Sequence, residues 1–191
     1  MLISQLLLVA HYRNNMIATI QSVLPALVVA FDIVLVVAFL ALVFRHTFGR
    51  NLARFMGKHA LLLGIFVAFI AIAGSLFYSN GVGFEPCYLC WWQRVAIYPM
   101  LALFFVGYVK KDRGAFSYVL PLSLMGLVLS LYHAYIQWGG NPLIPCEATA
   151  SCAKLYVYAY GYVTIPTMSL TIIAAILLLY WANKVYEHRH A

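Results

Sequence analysis

Five apolar stretches, each long enough to cross a bilayer, constrain this chain more than any other feature. They run approximately over residues 17–44, 60–79, 91–109, 115–138 and 164–182. A helix needs about 20 residues to span the hydrocarbon core, and backbone groups buried there must be satisfied internally. The connectors are short and leave no room for a soluble domain. Composition agrees. Charged residues make up 9% of the chain and hydrophobic ones 65%, whereas a soluble domain keeps its surface wet with about a quarter charged residues. The expected fold class is an all-α membrane protein.

A formal net charge of +7 would suit nucleic acid if the basic residues formed a continuous face. They do not, and no nucleic-acid partner is expected. Arg45, Arg50, Arg54 and Lys58 lie between the first and second spans, Lys110, Lys111 and Arg113 between the third and fourth, and Lys184 and Arg189 after the fifth. The connectors 80–90 and 139–163 hold only Lys154. The positive-inside rule places the basic connectors in the cytoplasm and the other two outside, with a cytoplasmic C-terminus and an outside N-terminus. Residues 1–58 read as an N-terminal extension, an extra transmembrane helix with a cytoplasmic basic loop, and 59–191 as a four-helix membrane domain. The first stretch is too long, and wrongly flanked, for an ordinary cleaved signal peptide. Asp32 lies near its middle, where a carboxylate is costly unless neutral or paired inside the bundle. The reading is a structural Asp facing other helices.

All four cysteines fall in the two outside connectors: Cys87 and Cys90 in one, Cys146 and Cys152 in the other. Disulfides persist in oxidising compartments such as the bacterial periplasm. Cys87-Tyr88-Leu89-Cys90 has the C-x-x-C spacing at which thiols exchange readily. Pro86 suits the first turn of the helix that becomes the third span. Both sulfurs would then lie in an opening turn whose free amides and macrodipole favour a thiolate. Cys87, Cys90 and Arg94, at i, i+3 and i+7, share one helix face. A guanidinium at that depth either snorkels to headgroups or takes an anionic or polar partner, and the neighbouring C-x-x-C favours the partner. Two inert structural disulfides, or a four-cysteine zinc site, are competing readings of the same residues; the zinc site lacks paired C-x-x-C knuckles, and no metal is expected.

The run Glu85-Pro86-Cys87-Tyr88-Leu89-Cys90-Trp91-Trp92-Gln93-Arg94, followed by a helix, resembles the signature of the DsbB family of disulfide-bond formation proteins. The short second pair, Pro145-Cys146 to Cys152, is more similar to its BdbC-type branch. The resemblance covers about residues 60–182 and implies a four-helix transmembrane bundle of DsbB type, with the first span as an extra N-terminal helix. The vitamin K epoxide reductase family has a similar bundle, but its loop pair precedes its C-x-x-C, the reverse of the order here.

What the resemblance implies is a thiol:quinone oxidoreductase of the bacterial cytoplasmic (inner) membrane. A soluble thioredoxin-like dithiol oxidase (DsbA/BdbD-like) on the outer face would be reoxidised through Cys146 and Cys152, with Cys146 the site of the mixed disulfide. Cys152 would exchange with Cys87, leaving Cys90 to meet bound ubiquinone or menaquinone beside Arg94. His133 occupies the place of the family's quinone-contacting histidine. Gln93 departs from the Glu that many members carry, so no acidic role transfers. Position alone leaves His133 open between a structural interfacial residue and a hydrogen-bond or proton donor, because aromatic belts form at that level anyway. Trp91, Trp92 and the alternating Tyr156, Tyr158, Tyr160 and Tyr162 are expected in that belt, the tyrosines in extended or irregular chain along the surface. The tail Glu187-His188-Arg189-His190 reads as a solvated end. Rivals are a membrane carrier of reducing equivalents or an epoxide reductase-like enzyme, and a scaffold with structural disulfides. Cysteines within spans or on the cytoplasmic side would favour export of reductant, and there are none.

Overall fold

The computed structural model describes residues 2–44, 47–142 and 151–190. Six helices carry the fold: α1 (Leu2–Phe44), α2 (Thr47–Lys58), α3 (Ala60–Leu76), α4 (Tyr88–Lys110), α5 (Ala115–Gln137) and α6 (Ile165–His190). Five of them contain a stretch long and apolar enough to cross a membrane: Asn15–Phe44, Ala60–Gly81, Tyr88–Lys110, Ala115–Gln137 and Ile165–His188. The protein is a multi-pass helical membrane bundle, with one short bridge, Ala159 to Val163, as the β pairing among the described residues.

Helices α3 to α6 form the bundle. Lipid removes the hydrophobic drive between helices, so close packing has to supply it. Small residues let the backbones approach. A side chain on Gly64 would put its Cβ 2.7 Å from the Phe104 ring, and one on Gly126 would meet Ile173 at 2.8 Å. Phe104 and Phe116 meet edge to face at 5.2 Å and are fully buried with Met100, Ile173 and Ile176. Pro99 and Pro121 sit inside α4 and α5, where neighbouring helices can compensate the lost backbone bonds.

The basic connector expected as a loop is largely the amphipathic helix α2, whose last turn is held from across the bundle. Arg113 Nη1 donates to the Gly57 carbonyl at 2.6 Å and to Asn183 Oδ1 at 2.8 Å, and Nη2 donates to the Lys58 carbonyl at 3.2 Å. Its guanidinium also lies 4.6 Å from the centre of the Tyr186 ring. Carbonyls left open at a helix C-terminus are thereby satisfied.

Helix α1 lies outside the bundle, with Leu27, Ile33, Val37 and Phe39 exposed as lipid-facing residues would be. Ala38 and Leu42 pack against Ala53 of α2 and Leu178 of α6. Asp32 fixes the helix higher up. Its Oδ1 accepts from the Thr171 hydroxyl at 2.6 Å and its Oδ2 from the Tyr162 hydroxyl at 2.8 Å. That contact pushes the Tyr162 phenol above its ordinary range, first through the hydrogen bond to Asp32.

At its C-terminal end, α3 runs on through a wide helical turn, Phe77–Gly81, into the connector that reaches Cys87. Tyr78 stacks on Phe84 at 5.9 Å, Phe84 on Tyr156 at 4.6 Å, and Lys154 Nζ lies 4.6 Å over the Tyr156 ring. The two cysteine-bearing connectors are thus clamped together by three aromatic rings and a cation. The tyrosine run is irregular as expected, but its members differ: Tyr156 is in the stack, Tyr158 and Tyr160 are exposed, and Tyr162 reaches Asp32. The chain reverses at Tyr160 and Gly161, both with positive φ (52° and 78°), a backbone shape that glycine adopts without strain.

Candidate active site

The C-x-x-C pair stands at the start of α4, which opens two residues later than a helix with Pro86 at its first position would. Cys87 is the N-cap, with extended backbone (φ −69°, ψ 169°), so Pro86 precedes the helix instead of opening it. Cys90 is the third helical residue. This offset sets the sulfurs' relation, because the third residue of a helix faces back toward its N-cap. The two Sγ atoms are 3.2 Å apart, and the Cys87 backbone also hydrogen-bonds the Cys90 sulfur.

The pair is not symmetric. Cys87 is only 3% exposed, while Cys90 is half-buried. The Cys87 thiol is pushed up to about 12, first by its hydrogen bond to Cys90 and then by burial, with an opposing pull from His133. The expectation that the helix start favours both thiolates fails for Cys87. Its sulfur is hydrogen-bonded with Cys90 and sits where a charge would be desolvated.

His133, near the C-terminal end of α5, is 2% exposed and faces the sulfurs. Its Nε2 lies 3.2 Å from the Cys152 carbonyl oxygen and 3.7 Å from Cys87 Sγ. A carbonyl can only accept, so Nε2 carries the proton. In the neutral ring Nδ1 is then the acceptor, and the Gln93 amide, 3.5 Å away, donates to it. Hydrogen bonds therefore run from Gln93 through His133 to the Cys152 carbonyl and Cys87, and Cys87 and Cys90 share a further one. Gln93 is 5% exposed and one turn below Cys90. The sequence reading had given it no role. Its signal was its spacing, because the i+3 position shares the face of Cys90.

Cys152, 3% exposed, belongs to the same buried cluster as Cys87, with Leu89 and Ile136, and with Cys90, Leu129 and Tyr132 at its edge. At least one cysteine from each cysteine-bearing connector is therefore at the same place. Cys146 lies outside the described residues.

Arg94 is on the other side of Cys90. Its Nε donates to Ser75 Oγ at 2.9 Å and Nη2 to the Ser75 carbonyl at 3.2 Å, and the guanidinium lies 4.9 Å from the centre of the Trp91 ring. Instead of an anion, Arg94 has a neutral anchor on α3. Its charge still reaches the Cys90 sulfur. Ser75 could not be assigned from sequence, since a lone serine in an apolar span more often bonds its own helix. One turn beyond Arg94, the Tyr98 hydroxyl is buried with no hydrogen-bond partner among the described residues.

The family model described as "Disulfide bond formation protein DsbB" matches residues 57–183. The chain is similar to the SPbeta prophage-derived disulfide bond formation protein B of Bacillus subtilis, at 37% identity over 139 residues, covering 70% of this chain and 94% of that one. It is also similar to the probable disulfide formation protein C 2 of Bacillus anthracis, at 29% identity over 134 residues, covering 70% and 96%. The probable disulfide formation protein of Oceanobacillus iheyensis is 40% identical over 120 residues, covering 57% and 78%. No solved structure gives a significant match.

Proposed function

Because this chain belongs to the DsbB family of disulfide bond formation proteins, we propose that it is a membrane thiol:quinone oxidoreductase. It reoxidises a soluble, extracytoplasmic, thioredoxin-like dithiol oxidase of DsbA or BdbD type and delivers the electrons to ubiquinone or menaquinone. The observation that carries this reading is the meeting of Cys152 with Cys87 and Cys90 in one buried cluster. A pair that meets a soluble protein and a pair that meets a lipid-soluble acceptor must exchange electrons, and here the outer connectors bring them together.

The sulfur steps follow ordinary exchange chemistry. A thiolate of the partner attacks the Cys146–Cys152 disulfide; one S–S bond breaks as another forms, and Cys152 leaves with the electron pair. The Cys152 sulfur then attacks the Cys87–Cys90 disulfide at Cys87, and Cys90 leaves as the thiolate; the partner's second thiol forms its own disulfide and releases Cys146, which re-forms the bond to Cys152 and frees Cys87 as a thiol. Beside the Cys90 sulfur are the Cys87 backbone and the charge of Arg94, both of which suit an anionic sulfur. His133, donating toward Cys87 and the Cys152 carbonyl, holds those groups in register and is the proton donor nearest the exchanging sulfurs.

A bound quinone would supply the two-electron acceptor that lets the dithiol close to a disulfide. The residues fit such a group. Arg94 offers fixed positive charge, and the buried Tyr98 hydroxyl, lacking a partner, is a donor of the kind a quinone oxygen accepts. In this reading the protein sits in the bacterial cytoplasmic membrane with both cysteine connectors on the periplasmic or extracellular face and the C-terminus in the cytoplasm.

The test is to mix purified protein with a reduced thioredoxin-like partner and quinone and follow quinone absorbance. Wild-type protein should turn over repeatedly and Cys90→Ser should not. No quinone reduction, or the same rate with Cys90→Ser, would sink the proposal. Arg94→Met should weaken quinone use while leaving exchange between the cysteine pairs intact.

A further inference from the structure

In the reduced protein, Cys87, Cys90 and His133 are a metal-ligand set as well as a redox site. Their donor atoms all lie within 4.8 Å of one another, and Cys87 and His133 are buried. The observed separations, 3.2 Å between sulfurs and 3.7 Å from Cys87 Sγ to His133 Nε2, are near those of a tetrahedral zinc centre. Zn–S bonds of about 2.3 Å and a Zn–N bond of about 2.0 Å put ligand atoms roughly 3.5–3.8 Å apart. The sulfurs need to separate by only a few tenths of an ångström to take the ion between them.

The surroundings favour this use. A metal-ligating histidine carries its proton on the other nitrogen and gives it to an outer partner. Gln93 is already on Nδ1. Turning its amide over would let Oε1 accept from Nδ1–H and free the Nε2 lone pair for the ion. Two thiolates and one imidazole, with a fourth position open, form a Cys₂His set found in zinc enzymes, and soft sulfur donors select d10 cations.

We propose that the dithiol form of this protein binds one thiophilic cation of the Zn(II) class through Cys87 Sγ, Cys90 Sγ and His133 Nε2, and is held in that form by it. The ion displaces two thiol protons, and no electrons move. The disulfide form has no thiolate to offer and does not bind. A zinc-loaded site cannot close to a disulfide until the ion leaves, so the metal stalls the reduced protein. The inference needs only a reducible pair. It does not depend on a quinone as the oxidant, and the failure of either leaves the other standing.

Full-length protein in detergent, reduced and freed of reductant, should be titrated with Zn(II) against a chromophoric chelator, and separately with Co(II) to read thiolate-to-metal absorption. Reduced wild-type should bind one ion per chain with a thiolate–Co(II) band, and the disulfide form should bind none at this site. Gln93→Leu should weaken binding about tenfold or more, as loss of an outer-shell partner does, and His133→Ala and Cys90→Ser further still. Cys152→Ser should bind within about threefold of wild-type, since it leaves the Cys₂His set intact. A His188→Ala/His190→Ala variant should bind as wild-type does, which separates the site from the C-terminal tail. Absence of the Co(II) band, equal binding by the disulfide form, or unchanged affinity in His133→Ala would overturn the proposal.

Discussion

Cys87 and Cys90 have the same chemistry and adjacent places on one helix, yet their surroundings give them different work. Cys87 caps the helix from a buried position, is hydrogen-bonded with Cys90, and has its thiol raised to about 12. A raised value means the proton stays through the neutral range and is lost only as pH climbs through the folded value. With chelator present, alkylation of Cys87 in the reduced protein should therefore keep rising beyond pH 10, where an ordinary thiol, with a pKa of about 8.5, has levelled off. Peptide mass spectrometry after timed iodoacetamide pulses would measure it, and a plateau near pH 9 would contradict the assignment. The C-x-x-C itself was legible because its spacing is local. The partners of its neighbours were not. Gln93 meets His133 across 40 positions, and Arg94 meets Ser75 across 19, and each contact exists only once α4 has packed against α5 or α3.

Among the elements, α1 has the least contact with the bundle and the most specific one. Its lipid-facing side chains are interchangeable, but Asp32 is fixed by hydroxyls from Thr171 and Tyr162. Sequence reading could say that a carboxylate in a span must be paired inside the protein, as it is; the identity of a partner 130 residues away depended on the turn at 159–163. Asp32→Leu removes both acceptors and should cost about 1–3 kcal/mol of α1 docking. Hydrogen exchange over residues 28–37 should rise roughly tenfold per 1.4 kcal/mol lost, if local opening governs it. Unchanged protection would show that apolar packing alone holds the helix. Because the Tyr162 phenol is raised by this contact, the pairing is fully present below the ordinary phenol value and is lost only in strongly alkaline solution as pH rises through the raised one. Phe104 is the corresponding point inside the bundle, where Phe104→Ala should lower stability by about 3–5 kcal/mol. Thermal unfolding in detergent would report it.

For the molecule as a whole, the five spans were legible because lipid imposes one requirement on every residue it touches, and the sequence meets it in long unbroken runs. Where lipid imposed nothing, the reading was coarser: α2 was expected as a loop, although Arg113 organises it from another connector. The orientation proposed from the basic residues can be tested directly. Reporter fusions that are active only outside the cytoplasm should be silent after Lys111 and after the C-terminus, and active after Gly140. The opposite pattern would reverse the proposed electron route without altering the fold.

Burial of the sulfurs has a further consequence. Cys87 and Cys152 are each only 3% exposed, so small thiols and dissolved oxidants have almost no direct route to either sulfur. A protein that stores oxidising power loses it through every adventitious collision that succeeds. Here packing narrows the leak, since Leu89 and Ile136 are buried in one cluster with Cys87 and Cys152. In the proposed relay this insulation costs access, and a partner would have to present its own sulfur at the cysteine-bearing connectors to draw current. Selectivity for one client over the cell's pool of small thiols is then a property of the wall around the wire, and no recognition of the pool is required.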